Sequence, residues 1–169
     1  MFDHLSRRQF LIQSGSALAV PQALGSQAPV PPPQSKSDCV FCRIVGNKAP
    51  AQKLWEDEEF LAFLDIKPIN PGHTLLVPRR HFEYLFDLGE PLYSQIFQRA
   101  KLLAAPIKTA MGARRIGMIV EGFGVAHLHV HLVPINKGGE LIRRGVEGVT
   151  AEEFAQVAAK IRAAIDKSK

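Results

Sequence analysis

Three histidines, His127, His129 and His131, alternate with leucine and valine between Ala126 and Pro134. Because residues two apart in a β-strand share a face, the sequence predicts one row of imidazoles with apolar side chains behind it. An apolar core would not favour imidazoles, since buried polar groups need partners. Besides a solvated strand face, such a row permits two kinds of chemistry: transition-metal binding, or nucleophilic attack by one imidazole that its neighbours orient.

The elements that would carry this row follow from the apolar pattern and the turn residues. The predicted hairpin and strands are Lys53–Glu56, Phe60–Asp65, Thr74–Val77, Ile116–Val120 and Leu128–Val133. A long helix from Pro91 to Gly112 is expected to be kinked or split by Pro106. Thr150 opens a capping box ahead of an amphipathic C-terminal helix. Short strands linked by turns, with helices interspersed, favour an α+β fold with an antiparallel sheet of about five strands.

The composition is that of a globular chain. The 169 residues are 46% hydrophobic and 22% charged, with a formal net charge of +5. These values exclude wholesale disorder, and the sequence holds no apolar stretch long enough for a membrane span. Nucleic acid is disfavoured as a partner, because no basic stripe is interleaved with aromatic residues. The cations of the C-terminal helix are expected on a solvated face: Lys160, Arg162, Lys167 and Lys169.

Residues 1–28 are typical of an export signal. The string S-R-R-Q-F-L at residues 6–11 precedes a short, mildly apolar run and then small residues. It resembles the bacterial twin-arginine signal, and a frayed basic tail with a short amphipathic helix is the alternative. We expect a signal peptide at 1–28, a proline-rich linker at 29–38, and a periplasmic or extracellular location after passage through the twin-arginine export machinery.

Cys39 and Cys42 form a C-x-x-C pair. Taken alone, this spacing fits half of a zinc site, a redox pair or a disulfide. A thioredoxin-type redox pair would open a helix after a strand in a βαβ unit, and the sequence does not predict that context here. Two cysteines are too few for a disulfide scaffold.

The histidine row belongs to a longer set of motifs. H-L-H-V-H-L-V at residues 127–133 follows C-V-F-C-R-I at 39–44, L-A-F-L-D-I at 61–66 and N-P-G-H-T-L-L-V-P-R-R-H at 70–81. In this order, the motifs resemble those of the histidine-triad (HIT) superfamily of nucleotide hydrolases and transferases. The resemblance covers about residues 39–136. It implies a HIT-like fold, with the domain at 39–138 and a C-terminal extension with a helix at 139–169.

The resemblance implies a catalytic role for each histidine. His129 would attack the α-phosphorus of a nucleotide conjugate, forming a nucleotidyl-histidine that water then hydrolyses. Neutral imidazole is nucleophilic near pH 7, which suits this role. His131 would contact a phosphate oxygen, and His127 would assist the leaving group or order the site. His73 would support the cluster through a hydrogen bond.

The resemblance also implies a nucleoside pocket. Asp65 would accept hydrogen bonds from the ribose hydroxyls, and an apolar slot would hold the base. The slot residues would be Phe41, Ile44, Phe63 and Ile66. From the residues alone, Phe63 and Ile66 equally fit a simple core, and Asp65 a cap of the following loop.

The loop before the triad departs from the family pattern. Many catalytically characterised members carry an Asn on the preceding strand, then a longer Gly-rich loop with Gln and Ser or Thr. Here the stretch is I-V-E-G-F-G-V-A at 119–126, which looks like a short-loop bacterial subgroup. The backbone N–H groups of Gly122, Gly124 and Val125 are left as phosphate donors. Glu121 would repel a phosphate if it pointed inward.

Several bacterial HIT proteins bind structural zinc with a similar C-x-x-C pair and two histidines. The matching residues are Cys39, Cys42, His81 and His127, and two thiolates with two imidazoles suit tetrahedral zinc. An oxidising compartment would instead favour a disulfide between the two cysteines, or unreactive thiols. If zinc binds, His127 does not also serve as a free acid.

The sequence and the resemblance together predict hydrolysis or transfer at the α-phosphate of a purine nucleotide conjugate, such as a phosphoramidate or a dinucleoside polyphosphate. Zinc is the expected cofactor, the chemistry needs no redox cofactor, and a homodimer is expected because the family usually pairs its domains. One rival function is a non-catalytic nucleotide-binding or interaction module, which the missing loop donors favour. Another is hydrolysis by a metal held on the triad.

Overall fold

Five antiparallel strands form one sheet in the computed structural model of the protein, which describes residues 39–142, 145–146 and 148–168. The strands are β1 (Lys53–Glu56), β2 (Phe60–Leu64), β3 (Thr74–Pro78), β4 (Arg115–Ile119) and β5 (Val130–Ile135). Their order across the sheet is β1-β2-β3-β5-β4, and every neighbouring pair is antiparallel. The predicted signal peptide and linker lie outside the described residues.

Among the described residues, three α-helices accompany the sheet: α1 (Val40–Val45), α2 (Leu92–Met111) and α3 (Ala151–Asp166). The predicted α+β class, five-stranded antiparallel sheet, mid-chain helix and C-terminal helix are confirmed. Helix α1, whose N-cap is Cys39, was not among the predicted elements. Within the described ranges, none of the helices is long and apolar enough to cross a lipid bilayer.

The two faces of the sheet pack against different partners. In β2, Phe60, Ala62 and Leu64 join the core cluster that includes residues of α2 and α3, whereas Leu61 and Phe63 join a smaller cluster with α1. Side chains of a strand alternate between faces, which explains why all five residues of β2 are buried. The sheet therefore separates a helical core from a second apolar layer beneath α1.

One prediction for each long helix concerns a single residue: Thr150 at the start of α3 and Pro106 within α2. Thr150 caps α3 as predicted: its hydroxyl accepts from the Glu153 N–H, and the Glu153 carboxylate accepts from the Thr150 N–H. The expected split at Pro106 is not observed, since α2 is one helix with Pro106 buried inside it. Leu103 and Ile107 are fully buried on either side of the proline. Their packing stabilises the helix across the missing hydrogen bond.

The histidine strand begins and ends later than predicted, because β5 starts at residue 130 and continues through Pro134. Leu128 is not yet in the strand, and its N–H donates to the carbonyl of Phe82. Pro134 is tolerated because the pairing of β5 with β3 ends at Leu132. Beyond that point, the Pro134 carbonyl accepts from Nδ2 of Asn70 at 2.8 Å.

We expect Ile161→Ala to lower the free energy of unfolding by about 2–5 kcal/mol. Ile161 is fully buried where α3 meets the main core cluster, so the shorter side chain leaves a cavity. Lys160→Ala, on the exposed face of the same helix, should change the free energy by less than about 0.5 kcal/mol. Urea unfolding of both variants checks this. Equal effects of the two substitutions would show that α3 is not part of the core.

Candidate active site

β5 and the residues before it carry the histidines. His131 lies on β5 opposite Leu75 of β3, and its ring centroid is 4.8 Å from that of His129. These two imidazoles lie side by side as predicted. The Phe41 ring packs against both His127 and His129, so these two imidazoles share the α1 side of the sheet. His127 differs in its partners: its Nε2–H donates to the carbonyl of Pro78 at 2.9 Å, and its Nδ1 faces two cysteine sulfurs.

One short hydrogen bond sets the tautomer of the neutral His129 ring. Its Nδ1 lies 2.6 Å from the carbonyl oxygen of His127. A carbonyl only accepts, so Nδ1 carries the proton and Nε2 keeps its lone pair. His129 is 5% exposed, so bulk water competes little for that bond. This is the tautomer that a nucleophilic imidazole needs.

A second set of hydrogen bonds fixes His131. The N–H of Ile69 donates to Nδ1 of His73 at 3.1 Å, so the proton of neutral His73 is on Nε2. That Nε2–H donates to Nδ1 of His131 at 2.9 Å. The remaining proton of His131 is consequently on its Nε2, which makes this nitrogen a donor. We call these three residues the Ile69–His73–His131 relay.

Burial keeps the imidazoles around His129 neutral. It is the main cause that lowers the pKa of His73 to about 3, with further lowering by His131 and His129. Burial, followed by His129, lowers the pKa of His131 to about 4. Burial also lowers the pKa of His127 to about 4, although its hydrogen bond to Pro78 opposes this. Near pH 7 these three rings therefore hold fixed hydrogen bonds as neutral groups.

Asp65 lies between the relay and the loop after β2. Its Oδ1 accepts from the N–H of Lys67 at 2.9 Å, and its Oδ2 is 3.5 Å from Nδ1 of His73. Burial raises the pKa of Asp65, and the bond from Lys67 opposes that rise. The loop-capping contact that the sequence allowed is thus present. It uses one carboxylate oxygen and leaves Oδ2 on the side of the relay.

An apolar cluster adjoins His129 on the α1 side of the sheet. The ring centroid of Phe41 lies 5.2 Å from that of His129 and 5.4 Å from that of Phe63. Ile44 is buried in the same cluster. Ile66 is 79% exposed and lies outside the cluster. The structure thus brings three of the four predicted slot residues to this side of His129, and it leaves Ile66 at the surface.

The loop before the triad passes close to the residues that follow β3. Gly122 has a φ of +91°, and a Cβ there would lie 3.6 Å from the carbonyl oxygen of Glu83. Phe123 is 92% exposed, whereas Val125 packs against the apolar cluster of α1. Since Gly122 and Gly124 have no side chains, residues 122–125 offer only backbone N–H groups as donors to a phosphate.

Two thiols and two imidazoles, one of them that of His127, converge at one place. Sγ of Cys42 is 3.2 Å from Nδ1 of His81 and 3.4 Å from Nδ1 of His127. Sγ of Cys39 is 3.4 Å from the same His127 nitrogen, and both cysteines are free thiols. All four potential ligand atoms lie within 4.8 Å of one another. We call these residues the thiol–imidazole cluster.

The thiol–imidazole cluster fits zinc. Because Nε2 of His127 donates to Pro78, its Nδ1 carries a lone pair toward the sulfurs. Tetrahedral zinc takes sulfur at about 2.3 Å and imidazole nitrogen at about 2.0–2.1 Å. The observed sulfur–nitrogen separations of 3.2–3.4 Å are close to the edges of such a tetrahedron.

A second group of potential metal ligands consists of Asp65, His73 and His131. A metal on Nε2 of His73 would displace the proton that binds His131, and a metal on Nδ1 would displace the N–H of Ile69. Hydrogen bonding therefore accounts for both nitrogens of His73. The arrangement favours the relay over a metal held on the triad.

A cavity of about 320 Å³ opens between the β2–β3 loop and α3. Asp65 and His73 form part of its wall, together with Pro68, Pro71 and residues of the C-terminal extension such as Phe154. The predicted slot residues do not line it. This cavity borders the relay at His73.

Sequence reasoning missed several partners in the site. The N–H of Ile69 and the carbonyl of Pro78 are backbone groups, which leave no signal in residue types. Glu140 is buried, and its carboxylate accepts from the Asn136 N–H at 2.7 Å and from Nδ2 of Asn70 at 3.4 Å. These contacts join the β2–β3 loop to the C-terminal extension. The residue pattern around Glu140 does not predict them.

Comparison with known families assigns the chain. The HIT domain matches residues 47–138, which is more than half of the chain. The chain belongs to the HIT family. The Cys39–Cys42 pair and helix α1 of this HIT protein precede the matched residues.

Three proteins illustrate what this HIT protein is similar to. An uncharacterised HIT-like protein of Methanocaldococcus jannaschii is 34% identical over 122 residues, which is 68% of this chain and 94% of the relative. Adenylylsulfatase HINT3 of Arabidopsis thaliana is 30% identical over 104 residues, 59% of this chain and 53% of that enzyme. A crystal structure of a Zn-bound histidine triad family protein from Mycobacterium smegmatis has a TM-score of 0.67 and 29% identity, covering 77% and 94% of the two chains.

We expect the free energy of unfolding to fall as the pH drops from about 7 to about 5. The pKa values of His73 and His131 in the fold, about 3 and about 4, lie below their ordinary value of 6.5. In this window the unfolded chain binds protons that the folded chain does not, so acid favours unfolding by up to about 1.4 kcal/mol per pH unit for each histidine.

The measurement is urea unfolding of the wild type and of His73→Gln across this pH range, with chelator present throughout. The variant loses one of the buried histidines whose pKa is lowered in the fold, so its stability should depend less steeply on pH. Parallel pH dependences for the two proteins would contradict the buried, neutral state of His73.

Proposed function

We propose that this HIT protein is a nucleotide hydrolase or nucleotidyl transferase that acts at the α-phosphate of a purine nucleotide conjugate. The observation that carries the proposal is the 2.6 Å bond from Nδ1 of His129 to the carbonyl of His127. It leaves the Nε2 lone pair of a neutral imidazole as the nucleophile. The named activity of the Arabidopsis thaliana relative, an adenylylsulfatase, also supports this reaction class.

The proposed reaction has two steps. Nε2 of His129 forms a bond to the α-phosphorus while the bond from phosphorus to the leaving group breaks, and the leaving group departs with the electron pair. An amine leaving group takes up a proton from solvent as it departs. Water then attacks the same phosphorus, the nitrogen–phosphorus bond breaks, and its electron pair returns to Nε2. A nucleoside monophosphate is released and the water proton passes to solvent.

The neighbours of His129 support both steps. The carbonyl of His127 stabilises the positive imidazole ring that forms when Nε2 is bonded to phosphorus. Nε2–H of His131, fixed by the relay, donates to a phosphate oxygen. Since the ring of His127 faces the thiols, its part in the reaction is to place its carbonyl, and it does not protonate the leaving group.

The nucleoside lies against the α1 side of His129. Oδ2 of Asp65 accepts from the ribose hydroxyls, and the base packs on the cluster of Phe41, Ile44 and Phe63. The phosphate is met by the backbone N–H groups of the short loop at residues 122–125. Suitable conjugates are an adenylyl sulfate, a phosphoramidate or a dinucleoside polyphosphate.

The second candidate is a nucleotide-binding or interaction module without turnover. The short loop favours it, because Gly122, Phe123, Gly124 and Val125 carry no polar side chain to hold a phosphate. The fixed tautomers of His129 and His131 argue for catalysis, since a module that only binds needs neither.

Zinc is the proposed metal, held by the thiol–imidazole cluster. It would cross-link α1, the residues after β3 and the segment before β5, because its ligands come from all three. The Zn-bound Mycobacterium smegmatis relative supports the assignment. The reaction itself is assigned to His129, and it requires no redox cofactor.

The protein is further proposed to act as an exported homodimer. β4 is an edge strand, and Met118 on it and Leu102 on α2 are 49% and 47% exposed. An edge strand offers unpaired backbone groups to a second copy. Export rests on the S-R-R-Q-F-L string at residues 6–11. Light scattering tests the dimer, and fractionation of cells that produce the Arg8→Lys variant tests export.

We expect His129→Ala to lower kcat for release of AMP from adenosine 5′-phosphosulfate or adenosine 5′-phosphoramidate by about ten-thousandfold or more. Asp65→Asn serves as the contrast, because it contacts the ribose away from the reacting atoms. It should raise KM and change kcat little. Nucleotide binding by the folded wild type without any AMP release would favour the binding module instead.

We expect one zinc ion per wild-type chain by native mass spectrometry, and none in the Cys39→Ala/Cys42→Ala double variant. Because bound metal stabilises only the folded chain, the double variant and chelated wild type should both melt at lower temperature. Asp65→Asn, in the second group of potential metal ligands, should retain the zinc. Loss of metal from Asp65→Asn, or its retention by the double variant, would place the ion elsewhere.

A further inference from the structure

We propose that the thiol–imidazole cluster sets the orientation and tautomer of the nucleophile, and that His81 is a positioning residue for His129. The inference rests on the proposed function, because it concerns how that function's nucleophile is held. The connection runs through one peptide group, the His127 carbonyl with the Leu128 N–H. Neither His81 nor the thiols need to contact substrate for this role.

The cluster first immobilises the ring of His127. That ring is fully buried, donates from Nε2 to the Pro78 carbonyl at 2.9 Å, and meets both cysteine sulfurs at 3.4 Å through Nδ1. The His81 ring packs edge-on against it at 5.0 Å between centroids. Both ring nitrogens are therefore held by groups outside the nucleotide site, and the His81 ring packs beside them.

The peptide after His127 then passes this constraint to the nucleophile. Its carbonyl accepts from Nδ1 of His129 at 2.6 Å. On the opposite edge of the same peptide plane, the N–H of Leu128 donates to the carbonyl of Phe82. A peptide is planar, so a rotation that weakens one of these bonds also redirects the other.

His81 and the next residue, Phe82, contact the cysteine side and the peptide side of this arrangement, respectively. Nδ1 of His81 lies 3.2 Å from Sγ of Cys42, inside the cluster. The next residue, Phe82, supplies the carbonyl that holds the Leu128 N–H. Loss of the His81 side chain therefore loosens the ring of His127 and the peptide plane together.

The chemical consequence concerns the proton of His129. With the carbonyl of His127 turned away, Nδ1 loses its acceptor, and the neutral ring is free to place its proton on Nε2 instead. A protonated Nε2 has no lone pair for phosphorus. We therefore expect kcat to fall by about 10–100-fold, the usual effect of losing a group that orients a reactive side chain. KM should change little, because Asp65 and the apolar cluster are untouched.

His81 is a sharper probe of this connection than either cysteine. Cys42 lies on α1 between Phe41 and Ile44 of the proposed base slot, so its replacement would also disturb nucleoside binding. His81→Ala removes one ligand without altering α1. His81→Cys restores a zinc-binding side chain without restoring imidazole. Glu83→Gln is the matched control, since Glu83 approaches His81 Nε2 at 3.6 Å, away from the thiols.

The direct readout is the Nδ1–H signal of His129 in nitrogen–proton NMR spectra of the zinc-loaded full chain, assigned by its absence in His129→Gln. We expect His81→Ala to lose or displace this signal and to show the fall in kcat at nearly constant KM. His81→Cys and Glu83→Gln should keep both the signal and the activity. Melting temperatures establish that each variant is folded, and chelated wild type replaces His81→Ala if that variant does not fold.

Two results would overturn the inference: an unmoved His129 signal in folded His81→Ala or in chelated wild type, or loss of the signal in His81→Cys that still carries zinc. The NMR readout needs no turnover. A wild type that releases no nucleotide, yet shows the expected changes in the His129 signal, would reject the proposed function and leave this connection standing.

Discussion

The chemistry of this HIT protein depends on the hydrogen bond between Nδ1 of His129 and the carbonyl of His127. That contact decides which ring nitrogen is a base and which is a donor. The two atoms lie 2.6 Å apart. Because a carbonyl oxygen can only accept a hydrogen bond, the proton must be on Nδ1 of the buried imidazole. The cysteine pair limits where His127 can lie, and the relay holds His131 beside His129.

The fold supplies this contact with a rigid and largely water-free setting. β5 lies between β3 and β4, so the strand carrying His131 cannot shift without breaking two ladders. Burial holds His73, His127 and His131 as neutral rings near pH 7, which allows each to donate from one nitrogen and accept at the other. These imidazoles therefore hold fixed hydrogen bonds around His129, whose Nε2 keeps a free lone pair.

Much of this arrangement was predictable from residue types. The exceptions depend on backbone partners or on tertiary packing, which residue types do not show. Apolar runs located β2 and β3, Thr150 with Glu153 marked α3, and the resemblance assembled the histidines and cysteines into two groups. Residue types could not predict the partner of His127 Nε2, because that partner is the backbone carbonyl of Pro78. Pro106 does not split α2, since tertiary packing outweighs a local helix-breaking preference. The export signal stays a prediction, as residues 1–38 lie outside the described part of the chain.

Intact-protein mass spectrometry after rapid mixing with adenosine 5′-phosphoramidate tests the central claim most directly. If Nε2 of His129 is the nucleophile, the wild type transiently gains the mass of one adenylyl group, and peptide mapping places that group on His129. The His129→Ala variant, folded and still able to bind nucleotide, then shows no adduct. Release of AMP by that variant at the wild-type rate, or an adduct mapped to another residue, would contradict the account.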